Sequence, residues 1–264
     1  MKTLIIPDIH GRTFWKSAVR RYINKVDKIV FLGDYFDPYV DEGIEYEFND
    51  IVANFQEILT LKRENPDKVI LLLGNHDLHY KIKEFDDRCR STRYDGIHSV
   101  QLGRLFNENN DLFKLCHYEE VGGKKVYFTH AGITEYWLKL AGIKNDENMP
   151  DEINKLQDSS DGINKLAIVG EMRTWFGAKA GSPVWCDIQE FIKNNGLGKG
   201  TYQIFGHSRL KKGASIHTSD FSCIDCRYGF VLNDKCKIRR ISDEKVKKDK
   251  EHGAVQDTAN DSKG

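Results

Sequence analysis

Five short polar clusters carry the chemistry of this chain: Pro7-Asp8-Ile9-His10-Gly11, Gly33-Asp34-Tyr35-Phe36-Asp37, Gly74-Asn75-His76-Asp77, Thr129-His130-Ala131-Gly132 and Gly206-His207-Ser208. Carboxylates, imidazoles and an amide, collected at one edge of a sheet, make a mixed oxygen and nitrogen site for divalent metal ions. The glycines beside them let the backbone turn sharply. Taken singly, each cluster says little. D-x-H is common by chance, a lone histidine after a strand is more often a hydrogen-bonded core residue, and Asp34 or Asn75 would serve equally in a turn. Five in order, each behind an apolar stretch, are improbable by accident. Their conjunction carries the metal-site reading.

The elements that must position these clusters are legible as apolar runs. Thr3–Pro7, Lys28–Leu32 and Lys68–Leu73 are rich in Ile, Val and Leu and suit strands of a sheet covered on both faces. Between them lie helical patterns. Thr13 is placed to cap a helix running to about Asn24, and Ile44 to Glu64 has apolar residues at helical spacing. Strands alternating with helices imply α/β units with right-handed crossovers. Residues 86 to 110, with Arg88, Arg90, Arg93 and Arg104, show no clear period and read as a partly helical surface excursion. Lys124–Thr129 resumes the strands, and a largely helical insertion follows over 134–195, with a loop at Gly177–Gly181. Tyr202–Phe205, Ala214–Thr218, Phe221–Asp225, Phe230–Leu232 and Lys237–Ile241 suggest a meander of short strands. Residues 242–264 lose their aromatics and read as a disordered tail.

Composition sets the outer bounds. At 264 residues with 39% hydrophobic and 11% aromatic content, the chain can bury a substantial core, which excludes disorder over most of its length. Lys+Arg 40 against Asp+Glu 40 argues against holding nucleic acid by bulk charge and leaves room for a locally charged cleft. The opening apolar run is too short for a signal peptide or a spanning helix, and six cysteines without a signal fit reduced thiols, so a cytoplasmic, non-membrane protein is expected. Cys223 and Cys226 form a C-x-x-C pair on an alternating strand with no second pair to complete a zinc site. A structural role is the plainer reading, with metal binding or redox chemistry as the alternative.

In their order, D-x-H, G-D-x-x-D, G-N-H-D, H and G-H, the clusters resemble the signature of the calcineurin-like metallophosphoesterases. The likeness runs from Thr3 to about Ile241, thinnest over 134–195. It implies one domain over 1–241: a four-layer α-β-β-α sandwich of two mixed β-sheets flanked by helices. It also implies two divalent metal ions, manganese foremost, with Fe, Zn, Ni or Mg tolerated by the same ligands. Asp8 and His10 would hold the first metal, Asp34 would bridge the pair, and Asn75, His130 and His207 would complete the second. His76 would protonate the leaving group, oriented by Asp37. The implied reaction is hydrolysis of a phosphate ester by in-line attack of a hydroxide bridging the metals.

The departures bear on substrate. The resemblance is nearest to the phosphoprotein-phosphatase-like, bacterial and phage branch, which continues its second motif as D-R-G. Here Pro38 and Tyr39 follow Asp37, and Leu73 stands where that branch commonly places an arginine. Arginine is the preferred bidentate phosphate clamp, so a small phosphorylated molecule or a nucleotide is expected ahead of a phosphoprotein. Gly206-His207-Ser208-Arg209 lacks the second histidine that other branches carry. Arg12, Arg173 and Arg209 are candidate replacement clamps, His79 and Tyr80 candidate rim residues, and Trp185 in Pro183-Val184-Trp185-Cys186-Asp187 either a substrate-side or a core residue. The alternatives are a nucleotide or dinucleoside-polyphosphate hydrolase, a phosphodiesterase or nuclease, and a non-catalytic binding scaffold. The last is disfavoured because every expected ligand is present.

Overall fold

A computed structural model describes residues 1–42 and 46–242. The expected tail beyond Ser242, and Ile44 at the expected start of the second helix, lie outside the described residues.

The first sheet takes four strands from the first half: β1 (Thr3–Ile6), β2 (Lys28–Phe31), β3 (Val69–Leu72) and β4 (Phe113–Lys114). Helices α1 (Phe14–Tyr22) and α2 (Phe48–Glu64) are the crossovers that make β1, β2 and β3 parallel neighbours. Thr13 occupies the N-cap of α1, although its side chain accepts no capping bond. After α3 (Asn75–Lys81), the excursion over 86–110 is partly helical as expected, holding the end of α4 (Lys83–Cys89) and all of α5 (Ser99–Asn107). These helices are too short for a periodic signal to rise above the polar residues around them.

The second sheet contains β5 (Cys116–Val121), β6 (Lys124–Thr129), β7 (Thr201–Phe205), β8 (Ile216–His217) and β9 (Phe221–Cys223). Gly122 and Gly123, both at positive φ, close the β5–β6 hairpin. Four helices, α6 (Glu135–Ala141), α7 (Met149–Lys155), α8 (Ser160–Leu166) and α9 (Ile188–Asn194), lie on the connection from β6 to its parallel neighbour β7. The chain then returns to the first sheet, where β10 (Phe230–Leu232) pairs antiparallel with β1 and β11 (Ile238–Arg240) with β10. The expected meander is therefore corrected. Of the five strands β7 to β11, only β8–β9 and β10–β11 pair antiparallel with one another, β9 runs parallel to β7, and the hairpins belong to different sheets. Turn spacing reports hairpins but carries no information on which sheet a strand joins.

The alternation of strand side chains divides the apolar residues between layers. Leu4, Ile6, Ile29, Phe31, Val69 and Leu71 share one core with Trp15, Val19, Phe55 and Ile58 of α1 and α2. Ile5, Val30, Ile70 and Leu72 point the other way and meet Val126, Phe128 and Ile204 between the sheets. Phe191 of α9 packs on Phe205 and Phe221 on the outer face of the second sheet. The layers are thus helix, sheet, sheet, helix. Each fully buried Leu, Ile or Phe contributes on the order of 2 kcal/mol. Among the described residues, no helix is long and apolar enough to cross a membrane.

Candidate metal centre

The polar clusters follow β1, β2, β3, β6 and β7, and backbone bonds knit them together. His10 N–H donates to Asp34 O at 2.7 Å, Gly11 N–H to Tyr35 O at 3.0 Å, and Gly206 N–H to His130 O at 2.8 Å. Asp8 Oδ2 accepts from His207 N–H at 2.9 Å. Glycine is required at Gly74 and Gly206, where a Cβ would collide with the carboxylates of Asp34 and Asp8 respectively.

Hydrogen bonds fix which ring nitrogens are free. His10 Nδ1 lies 2.8 Å from Phe36 O, and His130 Nδ1 lies 2.9 Å from Leu32 O. A carbonyl only accepts, so both rings carry their proton on Nδ1 and turn an Nε2 lone pair inward. Each Nε2 then sits 3.4 Å from Asp34 Oδ2. Asn75 donates its amide to Ser91 Oγ at 2.8 Å, which leaves Asn75 Oδ1 facing His130 Nε2 at 3.1 Å. His207 Nδ1 lies 3.1 Å from the same Nε2. Acceptors converging this closely repel unless a cation lies among them. The donor atoms of Asp8, His10 and Asp34 lie within 4.8 Å of one another, as do those of Asp34, His130 and His207, and Asp34 is common to both groups.

Burial enforces the polarity. It depresses His10, His130 and His207, which stay neutral, and it raises Asp8 and Asp34 well above the ordinary carboxyl range. Asp8 Oδ1 is buried without a hydrogen-bond partner among the described residues. His10, Asp34, Asp37 and His207 all adopt positive φ, a conformation costly for residues with a Cβ. Such strain concentrates where a side chain must be aimed. The residues fit divalent cations in donor type, tautomer and charge.

Beside this group, His76 Nδ1 lies 2.6 Å from Asp37 Oδ2. Burial acts to raise Asp37, but His76 and His79 outweigh it and hold the carboxylate below its usual range. Burial brings His76 down to about 4, against the opposing pull of Asp37.

The family model for calcineurin-like phosphoesterases matches residues 1–208. The chain belongs to this family. A probable serine/threonine-protein phosphatase of Encephalitozoon cuniculi is 28% identical over 226 residues, covering 82% of this chain; the match spans 44% of that relative's length. A protein serine/threonine phosphatase from Saccharomyces cerevisiae, described as similar to human phosphatase PP5, superposes with a TM-score of 0.52 at 13% identity, over 92% of this chain and 80% of its own. A metallophosphoesterase from Sphaerobacter thermophilus gives 0.46 at 12% identity, over 92% and 88%.

In this calcineurin-like phosphoesterase the arginines divide sharply. Arg12 makes a two-pronged bond to Glu42, at 2.8 and 2.6 Å, and Arg209 pairs with Asp41 at 2.9 and 3.1 Å and with Glu42 at 3.3 Å. Both expected clamps are thereby occupied by carboxylates. Sequence proximity to His10 and His207 says nothing of that, because Asp41 and Glu42 come from another loop. Arg173 does line the cleft, a cavity of about 420 Å³, and is paired with Asp187 at 2.9 Å. Arg93 lines it too, from the excursion. Its Nη2 lies 3.3 Å from His76 Nε2, its Nε donates to Asp37 O at 3.0 Å, and it has no carboxylate partner among the described residues. Trp185 is buried on the cleft wall, its ring 5.9 Å from that of His207.

His79 and Tyr80, expected at the rim, are instead buried behind Asp37. They follow His76 by three and four residues on α3, so the helix turns them to the same side. Three further residues escaped the sequence reading. Asp77 gathers the backbone N–H groups of Asp34 at 2.7 Å, Tyr35 at 2.8 Å and Gly74 at 2.8 Å, and so ties the second cluster to the third. Ser91 orients Asn75. Asp225, buried just beyond β9, adds its charge to that of Asp8 and helps raise it. Asp77 was within reach as the last residue of G-N-H-D, whereas nothing local marks Ser91 or Asp225. Cys223 and Cys226 are buried, in the apolar layers on either side of the second sheet.

Proposed function

We propose that this chain is a metal-dependent hydrolase of phosphate esters. The observation that carries the reading is the convergence of the inward lone pairs of His10 and His130 on the shared carboxylate of Asp34. Asp8, His10 and Asp34 would hold one divalent ion, and Asp34, Asn75, His130 and His207 a second, with Mn2+ foremost and Fe, Zn, Ni or Mg compatible. Bound there, the ions supply Lewis acidity to the attacking water and to the phosphoryl oxygens. Arg93, with Arg173 across the cleft, binds those oxygens and takes the place of the arginine missing after Asp37. His76 donates the proton that the leaving oxygen needs, while Asp37 holds the other side of the ring. The negative charge of a bound ester raises His76 from its depressed value, so the ring gains its proton as substrate arrives.

Residues 1–241 are read as one domain, with 134–195 as its helical insertion, because β10 and β11 complete the first sheet. Six free cysteines support a reducing, cytoplasmic setting.

A nucleotide substrate is the second reading, and one observation favours it. Trp175 and Phe176, 98% and 99% exposed, stand next to Arg173 and Thr174 of the cleft wall. They offer flat faces on which a base can stack. The test is a panel of phosphomonoesters, nucleotides, phosphodiesters and phosphoserine or phosphothreonine peptides, assayed after loading with each metal in turn. Hydrolysis of at least one class, lost on chelation, is expected. Metal binding without hydrolysis of any class would instead make the chain a binding scaffold.

A further inference from the structure

Asp37 is held by more than its bond to His76. Its Oδ1 accepts the hydroxyl proton of Tyr80, and its Oδ2 lies 3.0 Å from His79 Nε2 as well as 2.6 Å from His76 Nδ1. The direction of each proton follows from the surroundings. Asp95 N–H donates to the Tyr80 oxygen at 2.7 Å, so the single hydroxyl proton is left for Asp37. Ser91 N–H points at His79 Nδ1 at 3.4 Å, which leaves the proton of a neutral His79 on Nε2, facing Asp37. Two donors from one helix, His76 and Tyr80, therefore bond one carboxylate, and His79 Nε2 stands beside it at 3.0 Å without a hydrogen-bond geometry.

Packing fixes the two outer side chains. The His79 ring meets Tyr80 edge-on at 4.2 Å and Tyr94 at 4.9 Å, Tyr80 stacks on Tyr94 at 5.1 Å, and Arg90 lies over Tyr94 at 4.3 Å. His79 and Tyr80 are both buried, and among the described residues His79 groups with Asp37 and His76 and not with Asp8, His10, Asp34, His130 or His207.

We infer that His79 and Tyr80 are positioning residues that hold the Asp37 carboxylate, and through it the His76 ring, in the one orientation that aims His76 Nε2 into the cleft. The inference rests on the reading of His76 as the proton donor. Its physical content is that a carboxylate bonded on one oxygen by His76 and on the other by Tyr80, with the His79 ring packed beside it, cannot rotate. The His76 ring bonded to it then has one place to stand.

Tyr80→Phe removes one hydroxyl and no packing, and His79→Gln keeps an N–H near Asp37 whereas His79→Leu does not. With glycerol phosphate, a poor leaving group, Tyr80→Phe and His79→Leu are expected to lower kcat about 10-fold with KM within about twofold. His79→Gln should recover part of that loss. With p-nitrophenyl phosphate, which leaves without a proton, the losses should be about threefold or less. Equal losses on both esters would overturn the inference. A second measurement needs no activity: ring-nitrogen NMR of the full chain, labelled in histidine and loaded with diamagnetic Zn2+. The His76 Nδ1 proton bonded to Asp37 should shift in Tyr80→Phe while the His10 and His130 resonances stay. Unchanged His76 signals would overturn the inference even in an active enzyme. A shifted signal in a chain that hydrolyses nothing would uphold the positioning and remove the proposed function alone.

Discussion

The guanidinium of Arg93 lies flat against Tyr39, 3.6 Å from the ring centroid, and this stacking delivers the arginine to His76. Tyr39 stands two residues beyond Asp37, in the stretch where the arginine of the phosphatase branch is missing. The guanidinium that reaches His76 comes instead from a distant loop. Arg93→Ala is expected to lower kcat/KM about 100-fold, and Arg93→Lys to recover little, because an ammonium neither stacks nor forks. Steady-state kinetics on the best substrate of the panel checks both. Arg209→Ala should stay within about twofold, since Arg209 serves Asp41 and Glu42; a loss matching that of Arg93→Ala would reassign the clamp.

His76→Asn should slow hydrolysis of esters with poor leaving groups by about two to four orders of magnitude, and of p-nitrophenyl phosphate far less. The comparison is direct, because both esters use the same metals. A uniform loss would remove His76 from the donor role.

Metal should stabilise the fold in a pH-dependent way. Asp8 and Asp34 are raised by burial, so without metal their contribution to stability is full below the unfolded carboxyl value and is lost as pH rises through the higher folded one. Paired with cations, the same carboxylates are ionised without that loss. The metal-induced rise in Tm should therefore widen as pH rises above the unfolded carboxyl value. At a hundredfold excess over Kd it should reach roughly 5–10 °C, corresponding to about 2.7 kcal/mol. Asp34→Asn should flatten the response and abolish metal-dependent activity. Scanning calorimetry with and without metal decides the point, and a pH-independent shift would contradict it.

Asp77 never faces the cleft, yet its replacement should be felt there. In Asp77→Asn the amide oxygen can keep the N–H groups of Asp34 and Gly74, but the amide nitrogen then confronts Tyr35 N–H, at a cost on the order of 1–3 kcal/mol. Lower Tm together with reduced bound metal is the expected result. Normal metal content would mean that Asp34 keeps its left-handed turn without this brace.

The candidate metal-site residues were legible because each follows an apolar strand by a few residues. The strand supplies the direction, and the local turn supplies the aim. Leu4, Ile5 and Ile6 before Asp8, or Val69 to Leu72 before Asn75, need no distant information to declare a buried strand with a polar end. The two-sheet sandwich followed from the ordered clusters and their resemblance to the family. What only the tertiary structure decided concerns side chains whose partners are far along the chain. Arg12 and Arg209 belong to Glu42, Arg93 belongs to His76 and Tyr39, and Asp225 stands beside Asp8. Whether an arginine is free or neutralised depends on which carboxylate folding brings within about 4 Å, and no local pattern records that distance. The same holds for His79 and Tyr80. Their spacing from His76 puts them on one side of a helix, but only the packed chain sets Asp37 opposite them.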